Sequence, residues 1–98
     1  MMLLTKENQA RLPAMYSQEE TPAADQIAVV KFFTPDSNWT WYATEYDPVD
    51  RMFFGLVDGM EKELGYFSLD ELASARGPLG LPIERDRFFT PCKLSEVM

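Results

Sequence analysis

Two groups of carboxylates in the middle of the chain are the residues whose types and spacing could do chemistry. Paired carboxylates can hold a divalent cation such as Mg²⁺ or divide the roles of general acid and general base. On a strand, Lys62 would point away from the face of Glu61 and Glu63, so it would not complete a metal-nuclease arrangement. A solvated acidic rim is therefore favoured over a catalytic metal site. The two groups are Glu45, Asp47 and Asp50, and then Asp58, Glu61 and Glu63.

The sequence lacks the residue types that other kinds of catalytic or binding site require. The chain has no histidine, which excludes Ser-His-Asp and Cys-His nucleophile pairs and zincin motifs. Its one cysteine, Cys92, excludes an internal disulfide and a cysteine-based zinc cluster. The segment from Gly77 to Gly80 lacks the Lys-Ser/Thr of a phosphate-binding loop. We therefore expect no catalytic residue, no bound metal, no cofactor and no enzymatic activity.

The charge is concentrated in one stretch of the chain. Of its 16 acidic and nine basic residues, nine acids and two bases lie between Asp36 and Glu71, so the remainder is neutral. A nucleic-acid binder needs a basic track for phosphates, and we expect no direct nucleic-acid binding. The acidic stretch could instead attract a basic nucleic-acid-binding host protein, or imitate a phosphate backbone toward it. The alternative is that this charge only keeps the protein soluble.

Aromatic side chains are numerous for a chain of 98 residues, with seven Phe, four Tyr and two Trp. One face of a small sheet cannot bury them all, and exposed Trp and Tyr favour interfaces. Core filling, a partner surface and a homodimer interface are the three interpretations that remain open. The residues that we predict to bind a partner are Asp36, Trp39, Trp41, Glu45, Asp47, Asp50, Asp58, Glu61 and Glu63.

These residues must be positioned by a small α+β fold. Alternating β-branched and aromatic residues, separated by turn residues, predict four strands. Thr5 and Ser68 are suited to cap two short helices, which Pro13 and the Gly77-Pro78 pair would stop. We predict a four-stranded antiparallel meander flanked by two or three short helices. The predicted strands are residues 27–34, 39–46, 52–58 and 62–67, and the predicted helices are 6–12 and 69–76, with a last turn near 94–97.

The length predicts a single domain over residues 1–98. Residues 1–26 would form the N-terminal helix and a flexible loop, and residues 27–98 the sheet, a helix and an irregular C-terminal segment. The sequence has neither a long apolar span nor a secretory start, so we expect a cytoplasmic monomer or homodimer away from membranes. Dense opposite charges beside the Gly-Pro breakers predict an ion-pair clamp. The clamp residues are Arg76, Glu84, Arg85 and Asp86.

Several segments resemble a known family over nearly the whole chain. The likeness lies in residues 3–14, 32–36, 39–45, 53–57, 63–69 and 76–86. In these segments the chain is similar to the uncharacterised family numbered 2958 among domains of unknown function. The loop between Glu45 and Met52 and the tail after Phe89 carry less of the likeness.

The resemblance implies a genetic context rather than a mechanism. Members look like cargo of plasmids, integrative elements and phages, encoded beside antirestriction and conjugation genes, and the family brings no enzymatic residues. Together with the acidic stretch, this implies an inhibitor of a nucleic-acid-targeting host defence, such as an anti-CRISPR or antirestriction protein. The alternatives are an accessory role in plasmid or conjugative DNA maintenance and, less favoured, a metal-dependent enzyme.

Overall fold

The protein has an α+β architecture built from two short helices, a five-stranded sheet and a two-stranded sheet. A computed structural model describes residues 2–98, so Met1, the first residue of the predicted domain, lies outside the described part. Single 3₁₀ turns add residues Ala23–Asp25 and Leu94–Glu96. The helices and strands are α1 (Lys6–Arg11), β1 (Ile27–Ala28), β2 (Val30–Phe33), β3 (Thr40–Asp47), β4 (Met52–Asp58), β5 (Lys62–Ser68), α2 (Leu69–Ser74), β6 (Glu84–Arg85) and β7 (Cys92–Lys93).

The larger sheet has the order β5-β4-β3-β2-β6, and every neighbouring pair is antiparallel. The predicted meander is confirmed in β2 to β5, but the predicted strand count of four is wrong. Strand β6 adds a fifth strand by pairing with Phe32 and Phe33. A second sheet joins β1 to β7. Strands β6 and β7 contain two residues each, too few for the alternation that predicts a strand.

Both helices begin at the residues whose side chains were predicted to cap them. The Thr5 hydroxyl accepts the backbone N–H of Asn8 at 3.1 Å, and the Asn8 side chain accepts the Thr5 N–H at 3.4 Å. The Ser68 hydroxyl likewise accepts the Glu71 N–H at 3.2 Å. Each bond satisfies a backbone donor that the first helical turn leaves free. Helix α2 ends at Ser74, two residues before the predicted end.

One face of the larger sheet holds the main core around Phe53, which is fully buried. The Phe53 ring lies 5.3 Å from Phe32, 4.7 Å from Tyr46 and 5.2 Å from Phe67, measured between ring centroids. Leu69 and Leu72 of α2 and Leu3, Leu12 and Ile83 from the chain around it complete this cluster. Trp41 on β3 and Val57 on β4 lie on the same face. Both are partly buried and pack against this cluster.

A single extra residue, Thr44, decides which side chains reach the opposite face. The register of β3 on β4 runs from Ala43 opposite Gly55 to Glu45 opposite Phe54, so the bulge leaves Thr44 without a partner. Downstream of the bulge, Glu45 shares a face with Phe54 instead of with Ala43. This opposite face also holds a second cluster of Ala28, Tyr42, Leu56 and Leu94.

No helix among residues 2–98 is long and apolar enough to cross a membrane.

Candidate functional site

The predicted acidic surface is divided between the two ends of the larger sheet. Asp47 and Asp50 lie at the turn between β3 and β4, whereas Glu61 and Glu63 lie at or after the turn between β4 and β5. The seven residues of β4 separate these turns, a span of roughly 20 Å at about 3.3 Å per residue. The two groups therefore face different surroundings and could not contact one small ligand together.

At the first of these turns the carboxylates have different tasks. The Asp47 carboxylate accepts the N–H of Val49 at 2.9 Å and that of Asp50 at 3.4 Å, so it stabilises its own turn. The Asp50 side chain is exposed. Next to it, Arg51 forms an exposed ion pair with Asp70 at 2.9 Å, which offsets part of the negative charge at this end.

The other end of the sheet carries an aromatic groove. Trp39 stacks on Trp41 with ring centroids 6.0 Å apart and an interplanar angle of 28°, and 38% of Trp39 remains exposed. The indole also lies against Gly59, because a Cβ there would come within 2.3 Å of the ring. The resulting cavity of about 420 Å³, here called the Trp39 groove, is lined by Trp39, Val57, Met60, Glu61 and Glu63.

The register explains why these residues meet. Trp41, Val57 and Glu63 are directly opposite one another on β3, β4 and β5, so their side chains form a row on one face. Asp58 follows Val57 and therefore points to the other face. On that face, burial first and the negative charge of Asp58 second raise the pKa of Tyr42 above its ordinary value. The groove thus gathers Trp39, Glu61 and Glu63 but not Asp58.

Asp36 lies in a structural contact instead of on an open surface. Its Oδ2 accepts the N–H of Leu79 at 2.7 Å and that of Leu81 at 3.4 Å. Its Oδ1 is buried without a hydrogen-bond donor. Gly77 packs so tightly on this carboxylate that an added Cβ would lie 1.7 Å from Oδ1. Asp36 therefore holds the irregular 77–81 segment beside the sheet.

Glu45 is buried, with 4% of its surface exposed. Its Oε1 accepts the Tyr16 N–H at 3.1 Å and its Oε2 accepts the Gln18 N–H at 2.7 Å. The Gln18 side chain returns a bond to the carbonyl oxygen of Thr44 at 2.9 Å. The carboxylate thus ties the turn around residues 16–18 to the bulge of β3, and Tyr16 adopts a left-handed φ of 69° there.

A second cavity, of about 190 Å³, opens beside Glu45 and is here called the Glu45 cavity. The side-chain amide of Gln26 donates to the carbonyl oxygens of Gln18 and Thr21, whereas its Oε1 is buried without a donor. Such an unsatisfied buried acceptor costs about 1–3 kcal/mol. The residues that line this cavity are Tyr16, Glu19, Gln26, Glu45, Phe54 and Tyr66.

The electrostatic environment of the Glu45 cavity is negative. The neighbouring Tyr16 side chain is the largest cause that raises the pKa of Tyr66 above its ordinary value. The negative charges of Glu45 and Glu19 raise the same pKa further. Because these charges disfavour an additional negative charge, they also favour a positive one in the same space.

The four residues of the predicted clamp contact other parts of the chain rather than one another. Arg85 Nη1 donates to the carbonyl oxygens of Met2 and Leu3, the latter at 2.9 Å. Asp86 pairs with Lys31 at 3.7 Å. Arg76 Nη1 donates to the carbonyl oxygens at the end of α2, the nearer at 2.7 Å, and Glu84 lies in β6 opposite Phe33.

Two features bear on metal and thiol chemistry. Among residues 2–98, no group of three or more His, Cys, Asp or Glu side chains could hold a metal ion. Cys92 lies in β7 and is half-buried. Burial first, and the charge of Glu96 second, raise the pKa of its thiol above the ordinary value, so this thiol is a weaker nucleophile at neutral pH than a free one.

Sequence reasoning missed the residues of the Glu45 cavity other than Glu45 itself. Tyr16 and Gln26 come from a segment at least 19 residues before Glu45, and the residues between the first predicted helix and residue 26 were predicted only as a flexible loop. The unusual number of aromatic residues was the one signal that pointed beyond the core. It could not show which aromatic side chains would line a cavity, because that depends on the bulge at Thr44.

Taken together, the fold and the two cavities described above define a small α+β protein with a cavity on each face of one antiparallel sheet. The chain belongs to the family described as protein of unknown function (DUF2958), whose model matches residues 3–97. The resemblance drawn from the sequence is thereby confirmed over nearly the whole chain. No curated protein and no solved structure matches the chain.

Proposed function

We propose that this protein works by binding a basic protein partner through the Trp39 groove. The observation that supports this most is the stacked pair of Trp39 and Trp41 with Glu61 and Glu63 at its side. A partly exposed tryptophan beside carboxylates offers both an apolar anchor and a preference for positive charge. Tryptophan is enriched among the residues that contribute most to protein interfaces.

The surroundings of the groove favour the same mode of binding. Met60 is 93% exposed and lies beside Trp39, and its unbranched side chain can adapt to different partner shapes. The carboxylates of Glu61 and Glu63 are also exposed, so they can meet Lys or Arg side chains at low desolvation cost. The net charge of −7 adds a longer-range attraction for a basic protein.

The partner class that fits this field best is a nucleic-acid-binding protein of the host. Such a protein presents Lys and Arg side chains where phosphates bind, and an acidic protein seated there would exclude the nucleic acid. We therefore propose an inhibitor of a host defence that targets nucleic acid, of the anti-CRISPR or antirestriction kind. An accessory role in plasmid or conjugative DNA maintenance is the alternative, in which the bound partner keeps its nucleic acid.

The first experiment compares proteins captured from a host lysate by the wild type and by Trp39→Ala. Phe88→Ala is the matched control, because Phe88 is another exposed aromatic residue, at 89% exposure, outside the residues that line the groove. The expected partner is retained by wild type and Phe88→Ala and lost with Trp39→Ala, provided that circular dichroism shows all three folded. A partner captured equally by all three would contradict the proposal.

The second experiment takes that partner in purified form and measures its nucleic-acid binding with and without this protein. Competition, with nucleic acid and this protein excluding each other, is the expected result for an inhibitor. A ternary complex containing both would support the accessory role instead. A partner without any nucleic-acid affinity would contradict both versions while leaving the Trp39 groove as a protein-binding site.

A further inference from the structure

The Glu45 cavity has features of a second binding site, and none of the residues that line it line the Trp39 groove. Its walls include three aromatic rings, two carboxylates and one amide, from Tyr16, Phe54, Tyr66, Glu19, Glu45 and Gln26. Phe54 and Tyr66 lie opposite each other on β4 and β5, with ring centroids 5.1 Å apart in an edge-on arrangement. Glu45 is directly opposite Phe54 on the other side. Strand pairing therefore fixes this wall.

The Glu45 and Gln26 side chains at the cavity have hydrogen-bond acceptor capacity that the chain itself does not fill. Each oxygen of Glu45 accepts one backbone N–H, and a carboxylate oxygen can accept a second bond. Gln26 is 7% exposed, and its Oε1 is buried without a donor. The orientation of that amide is determined by the two carbonyl oxygens that its Nε2 contacts, so Oε1 cannot gain a donor by flipping without losing both bonds.

We propose that the Glu45 cavity binds a guanidinium group, carried either by a small guanidino compound or by an arginine side chain. A guanidinium group is planar and stacks on aromatic rings, it is always positively charged, and it has five N–H donors for the acceptors around it. The aromatic walls favour a cation over a neutral group of the same shape. The volume of about 190 Å³ accommodates the planar group and part of its aliphatic stem.

This inference is independent of the proposed function. The cavity residues Phe54 and Tyr66 alternate along their strands with residues of the opposite face, and Val57 and Glu63 of the groove belong to that opposite face. Variants of the cavity therefore leave the groove intact, and the reverse also holds. Failure of one proposal can be told from failure of the other.

The test uses a blocked arginine, N-acetyl-arginine amide, and its neutral isostere, N-acetyl-citrulline amide. Each is titrated into ¹⁵N-labelled wild-type protein, and backbone amide shifts are followed by NMR. The expected result is saturable shifts around Tyr16, Phe54 and Tyr66 with the arginine compound and at least tenfold weaker binding of the citrulline compound. Equal binding of the two, or no saturable shift at the cavity with arginine, would overturn the proposal.

Three variants test whether arginine binds at the Glu45 cavity. Glu19→Gln removes one exposed carboxylate at the cavity and is expected to weaken arginine binding about two- to fivefold. Tyr66→Leu removes one aromatic wall and is expected to weaken it by a similar factor. Glu20→Gln is the matched control, because Glu20 is also exposed but does not line the cavity. An equal effect of Glu19→Gln and Glu20→Gln would show attraction by net charge alone and would overturn the site.

Two further probes distinguish a small guanidino compound from an arginine side chain as the source of the guanidinium group. Agmatine is a free guanidino amine, and a Gly-Arg-Gly peptide with blocked ends carries the same group on a protein backbone. Stronger binding of agmatine would indicate a small-molecule ligand, and stronger binding of the peptide would indicate an arginine of a protein. Failure of both to shift the cavity residues would overturn the proposal.

Discussion

Replacement of Glu45 by glutamine tests whether this carboxylate supports the fold, because it is buried and accepts two backbone N–H groups. An amide has one oxygen, so one of the two N–H donors of Tyr16 and Gln18 would face an –NH₂ group and lose its acceptor. A hydrogen bond to a charged group contributes about 1.5–3 kcal/mol. The free energy of unfolding of Glu45→Gln is therefore expected to fall by about 1.5–3 kcal/mol.

The assay is urea unfolding followed by tryptophan fluorescence, together with a thermal melt. For a domain of this size, each kcal/mol corresponds to about 4–8 °C, so the melting temperature is expected to fall by about 6–24 °C. Glu63→Gln is the matched control, since this carboxylate is exposed on β5 and its loss is expected to change stability by less than about 0.5 kcal/mol. If the two variants were equally stable, the structural role of Glu45 would be refuted.

The remaining predictions concern packing, a terminal contact and pH. Gly55→Ala is expected to lower the free energy of unfolding by about 1–3 kcal/mol, because its Cβ would lie 1.8 Å from the carbonyl oxygen of Tyr42. Gly65 lies opposite Gly55 and has open space around an added Cβ, so Gly65→Ala is expected to raise the free energy of unfolding by about 0.4–1 kcal/mol. Denaturant unfolding compares the two variants. Arg85→Ala is expected to increase hydrogen exchange in the N-terminal segment, whose carbonyl oxygens it contacts, and unchanged exchange would contradict that contact. Burial is the largest cause that raises the pKa of Tyr42 above its ordinary value, so the folded state holds the Tyr42 proton more tightly than the unfolded state. The stability that this difference provides is fully present below a pH of about 10 and is lost as pH rises through the raised pKa. Tyr42→Phe should make this alkaline loss smaller in melts between pH 8 and 11, and an unchanged pH dependence would contradict it.

The long strands and the helix starts could be predicted because their signals are local. Strands β3 and β4 contain eight and seven residues, long enough for alternation and turn residues to define them. Thr5 and Ser68 have side chains that cap helices in their immediate neighbourhood. The two-residue strands β6 and β7 carry no such pattern, and pairing with β2 and β1 determines them instead.

The candidate sites could be predicted only in part, and Glu45 shows the reason. Uninterrupted alternation from Trp41 through Ala43 would place Glu45 on the same face as both. The bulge at Thr44 shifts the register by one residue and moves Glu45 to the other face. Asp36 was also predicted to bind a partner, and that prediction did not include its hydrogen bond with the N–H of Leu79, 43 residues away. Neither the bulge nor the long-range contact has a signal in the nearby sequence.

The central claim is that the Trp39 groove and its carboxylates attract a basic partner. Its most direct test is the association rate of the captured partner with Glu61→Lys/Glu63→Lys, measured at low and at physiological ionic strength. Asp50→Lys/Glu20→Lys is the control, because it changes the net charge equally at exposed positions that do not line the groove.

At low ionic strength the groove variant is expected to associate about tenfold more slowly than wild type and to lose most of its salt dependence, because opposed charges no longer steer the encounter. The control double variant is expected to keep clearly more of the wild-type association rate and of its salt dependence. Equal rates for the groove variant and wild type at both ionic strengths, or equal losses in the two double variants, would contradict the claim that the groove is the binding surface.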